Sequence, residues 1–429
     1  MRFFYSALFC LAIPVVLARL YWRGFKAPAY RLRWQERLGF YPEQNIHIPV
    51  IWFHTVSVGE FEAALPLITR CLNQFSDSAV LITTTTPTAS ARVNRVFGSQ
   101  VLHVYLPYDI PWVVSRFLRC FRPVLAIVLE KELWPNLFAA CHRRSIPIVI
   151  VNARLSGRSA KSYQSIAALT RPALQCINTI CAQTDDDRRR FIAIGAEAHK
   201  VLALGNIKFD MTVDQAMVNA GLHLKRTLFE NRWVWILAST HDGEEEHLLR
   251  VATDLRPVIT NLLVVIAPRH PERFNTVRLL CAAQGLKVAV RSQGDCVLPE
   301  TDVYLADTMG ELKMLYKAAD VAFVGGSLVA VGGHNVIEAA MVEVPILFGP
   351  FMFNFQDIAD QLLHRGGAIQ AATQVELRHA MIQLHQDAVY RKQMVDNALN
   401  YVKDNQGAVE RTMAVIAPYI QSQNRIGNI

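Results

Sequence analysis

Short apolar runs rich in β-branched residues alternate with helical stretches along the whole chain, and this alternation constrains the fold most strongly. It predicts an α/β protein with parallel sheets, because parallel strands need long crossovers that are usually helices. The candidate strands form two sets on either side of a junction at residues 205–214, which includes Lys208. The first set is 50–54, 79–84, 101–106, 124–129, 146–151 and 177–182. The second set is 233–238, 262–267, 287–291, 302–306, 321–324 and 344–347.

The N-terminal segment is a candidate membrane anchor. Residues 3–18 are uncharged and strongly apolar, and Arg2 and Arg19 flank them. The run is short against the roughly 20 residues that span a bilayer, and Pro14 interrupts it, so a tilted or interfacial placement is an alternative. A cleaved signal peptide is another alternative, although no A-x-A-like site precedes a polar mature start. A basic and aromatic segment follows, with Arg19, Arg23, Lys26, Arg31, Arg33 and Arg37.

The length of the chain predicts the number of domains, and its net charge predicts the kind of partner. With 429 residues, the chain is too long for one ordinary core, and two domains are expected. The net charge of +8 predicts an anionic partner, and nucleic acid, anionic lipid and a phosphorylated small molecule all carry suitable charge. The position of the cations beside the apolar run favours lipid headgroups and a cytoplasmic location for the rest of the chain. We therefore predict an anchor at 1–22 and Rossmann-like domains at 23–204 and 205–429 that face each other across a cleft, with the last helix a candidate to pack back on the first domain.

Cysteine usage points away from metal and disulfides. The chain has eight scattered cysteines, and none of them forms a C-x-x-C pair. We interpret them as buried thiols in a reducing compartment, which predicts neither a zinc site nor a disulfide framework.

Glu60 is the first candidate catalytic residue. The apolar run at 50–54 breaks at Ser57, Val58 and Gly59 and then delivers this carboxylate to the start of a helix. Ligands of parallel α/β domains bind beyond the carboxyl ends of the strands, which favours a catalytic base at this position. The structural alternative is an acid placed in a first helical turn, where the helix dipole stabilises it by roughly 0.3–1 kcal/mol.

Other reactive side chains follow candidate strands in the same way. Glu130 follows the strand at 124–129, PRHPERF follows 262–267, and DTMGEL follows 302–306. The glycines and Asn335 of GGHNVIE suit a phosphate at a helix start, and Glu338 suits ribose hydroxyls. A capped turn, a surface ion pair of Arg269 with Glu272 and a simple helix start are the structural alternatives for these loops.

Two acidic motifs have mainly structural interpretations. TDDDRRR at 184–190 has the D-x-D spacing of some metal-dependent sugar-nucleotide enzymes, but acids followed by arginines also begin helices. STHDGEEE at 239–246 contains acids that a first helical turn accounts for, whereas His241 remains a candidate to line the cleft. The chain contains no P-loop, nucleophile elbow or kinase signature.

A set of motifs along nearly the whole chain resembles one enzyme family. The motifs are HTVSVGE, TPTASARV, LPYD, ELWPN, NARLS, GNIKFD, PRHPERF, DTMGEL, FVGGSLV, GGHN and FGPFMFNF. In order and content they resemble the transferases of 3-deoxy-D-manno-octulosonic acid (Kdo) of Gram-negative lipopolysaccharide synthesis. The resemblance implies the GT-B glycosyltransferase fold with an N-terminal anchor. It also implies transfer of Kdo from CMP-Kdo to a lipid A precursor, lipid IVA, at the cytoplasmic face of the inner membrane. Metal, other cofactors and nucleic acid have no part in the activity that it implies.

The same resemblance implies roles for individual residues. Glu60 would be the proton acceptor, and Glu130 and Lys208 would stabilise the transition state. Two departures from the family pattern are Lys131, where threonine is usual, and NVIE in place of NPLE. A cation at 131 is expected to lower the pKa of Glu130. The implied CMP contacts are Pro268, Arg269, Met309, Gly310, Glu311, Asn335, Val336, Ile337 and Glu338.

Two other functions share much of this pattern. A GT-B enzyme that uses a UDP-sugar would have the same fold, anchor and glycine-rich loop. A membrane-tethered nucleotide-binding protein without catalysis would bind nucleotide and would leave Glu60 without a chemical role.

Overall fold

Each half of the chain folds into a parallel seven-stranded sheet, which confirms the predicted fold class. The structure, a computed structural model, describes residues 1–42 and 46–426. The chain divides into two compact units. Unit 1 comprises Met1–Met211 and Asn405–Ile429, and unit 2 comprises Thr212–Asp404.

The sheet of unit 1 has the strand order β3-β2-β1-β4-β5-β6-β7. Because successive strands are added outward from β1 in both directions, β1 and β4 flank the topological switch point, where α/β proteins bind ligands. The strands are β1 (Val50–His54), β2 (Ala79–Thr84), β3 (Leu102–Tyr105), β4 (Pro123–Leu129), β5 (Ile148–Ala153), β6 (Thr179–Ala182) and β7 (Val201–Ala203).

Helices cover both faces of this sheet. Side chains alternate along each strand, so Trp52 packs in one apolar cluster while Ile51 and Phe53 pack in the other. Burial on both faces explains why the strands are continuous apolar runs. The helices are α1 (Arg2–Lys26), α2 (Val58–Gln74), α3 (Pro87–Phe97), α4 (Pro111–Phe121), α5 (Pro135–Arg143), α6 (Gly157–Ser165), α7 (Ala167–Gln175) and α8 (Asp185–Ala193).

Unit 2 repeats the architecture with the strand order β10-β11-β9-β8-β12-β13-β14. Its switch point lies between β8 and β12, which are hydrogen-bonded neighbours. The strands are β8 (Trp233–Thr240), β9 (Leu262–Pro268), β10 (Val288–Val290), β11 (Val303–Leu305), β12 (Val321–Val324), β13 (Ile346–Phe348) and β14 (Ile369–Gln370). The helices are α9 (Gln215–Thr227), α10 (Glu244–Leu255), α11 (Phe274–Ala283), α12 (Leu312–Lys317), α13 (Ile337–Met341), α14 (Gln356–His364), α15 (Gln374–Gln386) and α16 (Ala388–Asp404).

The last helix, α17 (Ala408–Ile426), belongs to unit 1. Its buried residues Met413, Ile416 and Ile420 join the same apolar cluster as Ile51 and Phe53. The carboxylate of Asp210 accepts hydrogen bonds from the backbone N–H groups of Gly407 and Val409, and these bonds hold the start of the helix.

The N-terminal helix is long and apolar enough to cross a membrane, by length and composition, over Arg2–Phe25. One face of this helix contacts the rest of unit 1. There the Ser6 hydroxyl lies 2.9 Å from the Asn136 amide nitrogen, and the Phe9 ring lies 6.1 Å from the Tyr108 ring. The opposite face exposes large apolar side chains. They are Phe3, Phe4, Leu8, Leu11, Val15, Tyr21, Trp22 and Phe25.

Candidate functional site

Glu60 lies at the switch point of unit 1, just beyond β1. The Ser57 hydroxyl caps helix α2 by accepting the Glu60 N–H at 3.3 Å, and the Glu60 carboxylate accepts the Val56 N–H at 2.5 Å. These two bonds form a reciprocal cap that fixes the side chain at the helix start. Glu60 therefore also has the structural role that a first-turn acid predicts.

The pKa of Glu60 is strongly raised, which a capping role alone does not require. Burial, followed by the charge of Glu130, raises its pKa from 4.5 to about 8. The Val56 hydrogen bond and Lys208 act in the opposite direction, and Glu132 adds to the increase. A carboxyl group whose pKa lies near working pH can accept a proton in a reaction, because catalytic efficiency is greatest when the two match.

Glu130 follows β4, the other strand at the switch point, and its backbone has a φ of +60°. Residues other than glycine adopt this left-handed conformation rarely, and such strain concentrates at functional sites. Its carboxylate lies 3.4 Å from the Lys208 ammonium. The structure thus brings the predicted residues Glu60, Glu130 and Lys208 together within unit 1.

Side chains of two asparagines hold the backbone of Lys208 and its neighbour in place. The Asn206 side chain accepts the Lys208 N–H at 3.0 Å, and the Asn152 side chain accepts the Ile207 N–H at 3.1 Å. Asn152 itself has a φ of +54°. The motifs NARLS and GNIKFD therefore act as one loop support for the lysine.

The segment after Glu130 adds Glu132, the first residue of ELWPN, to which the sequence assigns no individual role. Glu132 is partly buried, and burial raises its pKa, whereas the charge of Lys131 lowers it. The Lys131 side chain is exposed, and its carbonyl accepts the Tyr163 hydroxyl at 3.1 Å. The effect of Lys131 on Glu130 stays a prediction. A second acid two residues after Glu130 was the available signal for Glu132.

In unit 2, Pro268 ends β9, and Arg269 follows it at the carboxyl edge of the sheet. The Arg269 N–H donates to the Thr240 carbonyl at 3.1 Å, which ties the ends of β8 and β9 together. Within the part of the chain that the structure describes, no side-chain hydrogen bond or ion pair is formed by the Arg269 guanidinium. Arg273 is the residue that pairs with acids, namely Glu245 and Asp242. Arg269 is thus available for an anion.

In the loop Met309–Glu311, the Glu311 side chain already forms an ion pair with Arg291. The Glu311 carboxylate forms a two-point ion pair with Arg291, at 2.5 and 2.7 Å, and this bond lowers the Glu311 pKa. Gly310 has a φ of +93°, and a Cβ added there would meet open space, so the backbone conformation alone favours glycine. Backbone groups of this loop are therefore better placed than the Glu311 carboxylate to contact a ligand. Arg291 directly follows β10, and its sequence context gives no signal for this contact.

The motif GGHNVIE ends in the short helix α13, which begins at Ile337 with Val336 as its N-cap. Asn335 lies one position earlier, and its side chain accepts the Ile337 N–H at 3.1 Å. Its amide nitrogen lies 3.4 Å from the Glu338 carboxylate. The predicted capping residue thus supports the helix start from outside the N-cap position.

Glu244 clamps the glycine-rich loop that follows β12. It is fully buried, and its carboxylate accepts backbone N–H groups of Gly326, Ser327 and Leu328 at 2.7–3.0 Å. It also accepts the His241 N–H at 2.9 Å. The sequence interpretation treated Glu244 as a first-turn acid, and its partners more than 80 residues away left no local signal.

We expect Glu244→Gln to destabilise unit 2 by about 2–4 kcal/mol, because an amide replaces one acceptor oxygen with a donor that faces N–H groups. The measurement is urea denaturation followed by intrinsic fluorescence. Glu246→Gln is the control, since Glu246 is exposed and pairs with Arg250 on the helix surface. Equal midpoints for the two variants would contradict the clamp.

The TDDDRRR motif forms the first turn of α8. Asp187 is buried and accepts the Leu155 N–H at 2.8 Å, while Asp186 pairs with Arg189 and Arg190. Thr184 caps the helix. Asp187 therefore ties the helix start to the segment at Leu155, and Asp186 forms ion pairs on the surface of the helix.

Comparison with known proteins gives consistent results. A family model described as 3-deoxy-D-manno-octulosonic-acid transferase (kdotransferase) matches residues 32–211. The 3-deoxy-D-manno-octulosonic acid transferase of Haemophilus influenzae is 37% identical over 98% of this chain and 99% of its own length. The corresponding Bordetella pertussis protein is 35% identical over 86% of this chain and 87% of its own length.

Among solved structures, UDP-GlcNAc 2-epimerase from Neisseria meningitidis has a TM-score of 0.58. It is 16% identical and covers 87% of this chain and 100% of its own length, which supports the two-sheet GT-B architecture alone. The extent of the curated matches establishes the activity class as glycosyl transfer. This chain belongs to the 3-deoxy-D-manno-octulosonic acid transferase family.

Proposed function

We propose that this protein transfers Kdo from CMP-Kdo to a hydroxyl group of the lipid A precursor lipid IVA in lipopolysaccharide synthesis. Family membership supports the transferred sugar, and the resemblance of the motifs supports the donor and the acceptor. The observation that carries the chemical assignment is Glu60, a partly buried carboxyl group with a pKa of about 8 at the switch point of unit 1.

In the proposed reaction, Glu60 removes the proton of the acceptor hydroxyl, and the resulting oxygen attacks the anomeric carbon of Kdo. The bond from that carbon to the phosphate oxygen breaks on the opposite face, and CMP leaves with the electron pair. The anomeric configuration is therefore inverted. Glu130 and Lys208 flank this step as an ion pair that stabilises charge in the transition state.

The donor is assigned to unit 2. Arg269 supplies a cation for the phosphate, and Pro268 precedes it at the sheet edge. The backbone of Met309, Gly310 and Glu311 would contact the nucleoside, and Asn335 and the residues that follow, Val336, Ile337 and Glu338, would complete the CMP contacts. Because these protein cations and N–H groups can stabilise the leaving phosphate, the proposed reaction requires no metal ion.

The acceptor is a lipid, and we assign the catalytic units to the cytoplasmic side of the inner membrane. The apolar exposed face of α1 supports this location, as does the cationic and aromatic segment after it. In that segment Arg31 stacks over the Tyr21 and Phe25 rings at 4.2 and 4.0 Å. Such pairs suit the headgroup layer, where aromatic rings and cations both have favourable contacts.

We expect the double variant Leu8→Glu/Leu11→Glu to lose most of its binding to anionic phospholipid vesicles. The two side chains are 70% and 78% exposed on α1. Burial of each leucine contributes about 1.5–3 kcal/mol, so partitioning should fall at least about a hundredfold. The measurement is vesicle co-sedimentation.

The matched control for this variant is Val375→Glu/Val389→Glu. Those valines are 78% and 79% exposed in unit 2, so the control makes the same change of charge away from α1. Its vesicle binding should equal that of the parent. Unchanged binding of the leucine variant would overturn the role of α1 as the membrane-contacting element.

Mass spectrometry of the products tests the proposed function. The reaction contains tetraacylated lipid A precursor and either CMP-Kdo or a UDP-sugar, with and without a chelator. We expect a mass increase of one or more Kdo residues with CMP-Kdo alone, an inverted anomeric centre by NMR and no effect of the chelator. Transfer only from the UDP-sugar would indicate another glycosyltransferase, and CMP binding without turnover would indicate a nucleotide-binding protein.

A further inference from the structure

Two histidines meet above the switch point of unit 2. His241 follows β8, His334 lies in the GGHN motif, and their Nε2 atoms are 2.8 Å apart. The rings are nearly parallel, at 10°. Stacked rings lie about 3.5 Å apart, so a nitrogen–nitrogen distance of 2.8 Å requires rings that meet edge to edge. The geometry is that of a hydrogen bond between the two imidazoles.

A hydrogen bond between the two Nε2 atoms limits the number of protons that the two imidazoles can carry. One Nε2 must carry the hydrogen and the other must accept it, because two protonated nitrogens would face each other as donors. The pair can take up one further proton without breaking this bond, at the Nδ1 of the donating ring. A second extra proton would destroy the contact.

Charged groups of both signs surround the pair, and Arg269 is the arginine among them whose guanidinium forms no ion pair with another described residue. Arg269 and His270 act on both rings, and Arg273 and Glu245 act on His241. Arg273 is already paired with Glu245 and Asp242, and the Glu244 carboxylate accepts backbone N–H groups, including that of His241. Burial and these cations lower the pKa of both histidines, that of His334 to about 3. The pair by itself is therefore neutral near pH 7.

The glycine-rich loop after β12 is fitted to the two rings. Gly326 has a φ of +67°, and a Cβ there would lie 3.2 Å from His334 and 3.4 Å from His241. The N–H groups of Gly332 and Gly333 donate to the Gly326 carbonyl and draw GGHN onto this loop. Glu244 holds the same loop from below. The pair is thus a supported feature of the sheet edge where α/β domains bind ligands.

We propose that His241 and His334, together with Arg269, bind the phosphate of the donor nucleotide and take up one proton as they do so. This inference rests on the proposed function, because it takes CMP as the nucleotide. An arginine without an acidic partner, beside a histidine pair that can accept one proton, suits a phosphate, whose charge would stabilise the added proton. The same charge increases during transfer, when the phosphodiester of CMP-Kdo becomes the monoester of CMP, so the pair would also favour departure of CMP.

Isothermal titration calorimetry with CMP at pH 7.5 in two buffers of different ionisation enthalpy measures the proton uptake. For the full-length parent we expect uptake of about half a proton or more per CMP, and close to none with cytidine, which lacks the phosphate. His334→Gln and His241→Gln should each abolish most of the uptake and weaken CMP binding about 10- to 100-fold. Their affinity for cytidine should change less than about threefold.

The control variant is His379→Gln, which alters an exposed histidine on α15 and should behave as the parent. CMP binding to the parent without uptake beyond that of cytidine would overturn the role of the pair and leave the donor assignment intact. Unchanged CMP affinity in the glutamine variants would have the same meaning. Failure of the parent to bind CMP would instead overturn the donor assignment and, with it, this inference.

Discussion

Replacement of Glu60 by glutamine is expected to lower the rate of Kdo transfer by about 10²- to 10⁴-fold, the usual contribution of a general base. Glutamine keeps the size of the side chain and an oxygen that can accept the Val56 N–H, but it cannot take the proton of the acceptor hydroxyl. The measurement is single-turnover transfer to lipid IVA at saturating CMP-Kdo. A rate within about threefold of the parent would reject Glu60 as the base.

Glu62→Gln is the matched control for this variant. Glu62 lies on the same helix, is partly exposed and pairs with Arg92. Loss of a partly exposed ion pair lowers the free energy of unfolding by at most about 1 kcal/mol, and it does not affect the chemical step. We therefore expect a rate close to that of the parent.

The same Glu60 variant should be more stable than the parent at high pH. The pKa of Glu60 is about 8 in the folded protein, compared with 4.5 as the ordinary value. Between these values the folded state holds a proton that the unfolded state releases, so the parent loses stability as pH rises through this range. Glutamine does not ionise, and the Tm difference should therefore grow from pH 5 to pH 9. Lost activity with raised Tm would exclude misfolding as the cause.

The ion pair of Glu130 and Lys208 is expected to give the second large effect. Glu130→Gln and Lys208→Met should each lower the rate about 10²- to 10³-fold, because each removes one charge of the ion pair that we propose to lie beside the reacting atoms. The double variant should lose less than the product of the two single losses, since the residues act as a unit. Fully multiplicative losses would show that the pair does not function together.

These two variants should also shift the pH dependence in opposite directions. The Glu130 charge raises the pKa of Glu60 and the Lys208 charge lowers it. The rise of rate with pH should therefore move to lower pH in Glu130→Gln and to higher pH in Lys208→Met. Lys131→Thr, which introduces the threonine that the family resemblance implies at this exposed position, should change the rate less than about threefold. A larger effect would show that Lys131 acts on the site.

The predicted strands were found in both sheets because burial on both faces makes a strand a continuous apolar run. Strands β7 and β14 were not predicted, because two of the three residues of β7 are exposed and β14 has only two residues, so neither forms a buried apolar run. Strand β5 extends through the polar Asn152, where the register with β6 shifts and the Asn152 side chain accepts the Ile207 N–H, so the apolar pattern ends before the strand does. Local sequence therefore identifies strands that are mostly buried, including the edge strands β3 and β10, and misses strands that are short and exposed.

In the candidate site too, some residues can be recognised from local sequence and others cannot. Glu60 and Glu130 were identifiable because each follows an apolar strand, and chain topology brings those strands together. The clamp by Glu244 and the Arg291 partner of Glu311 depend on residues distant in sequence, which a motif does not encode. The contact of His241 with His334 spans 93 positions, so only the folded sheet shows it.

The pH dependence of the single-turnover rate tests the central assignment most directly. At pH 7 most Glu60 carboxyl groups carry a proton, and only the ionised fraction can act as a base. We predict that the rate of the parent rises about tenfold per pH unit below pH 7 and levels off near pH 8, and that Glu60→Gln lacks this rise. An identical pH profile in the parent and in Glu60→Gln would contradict the account.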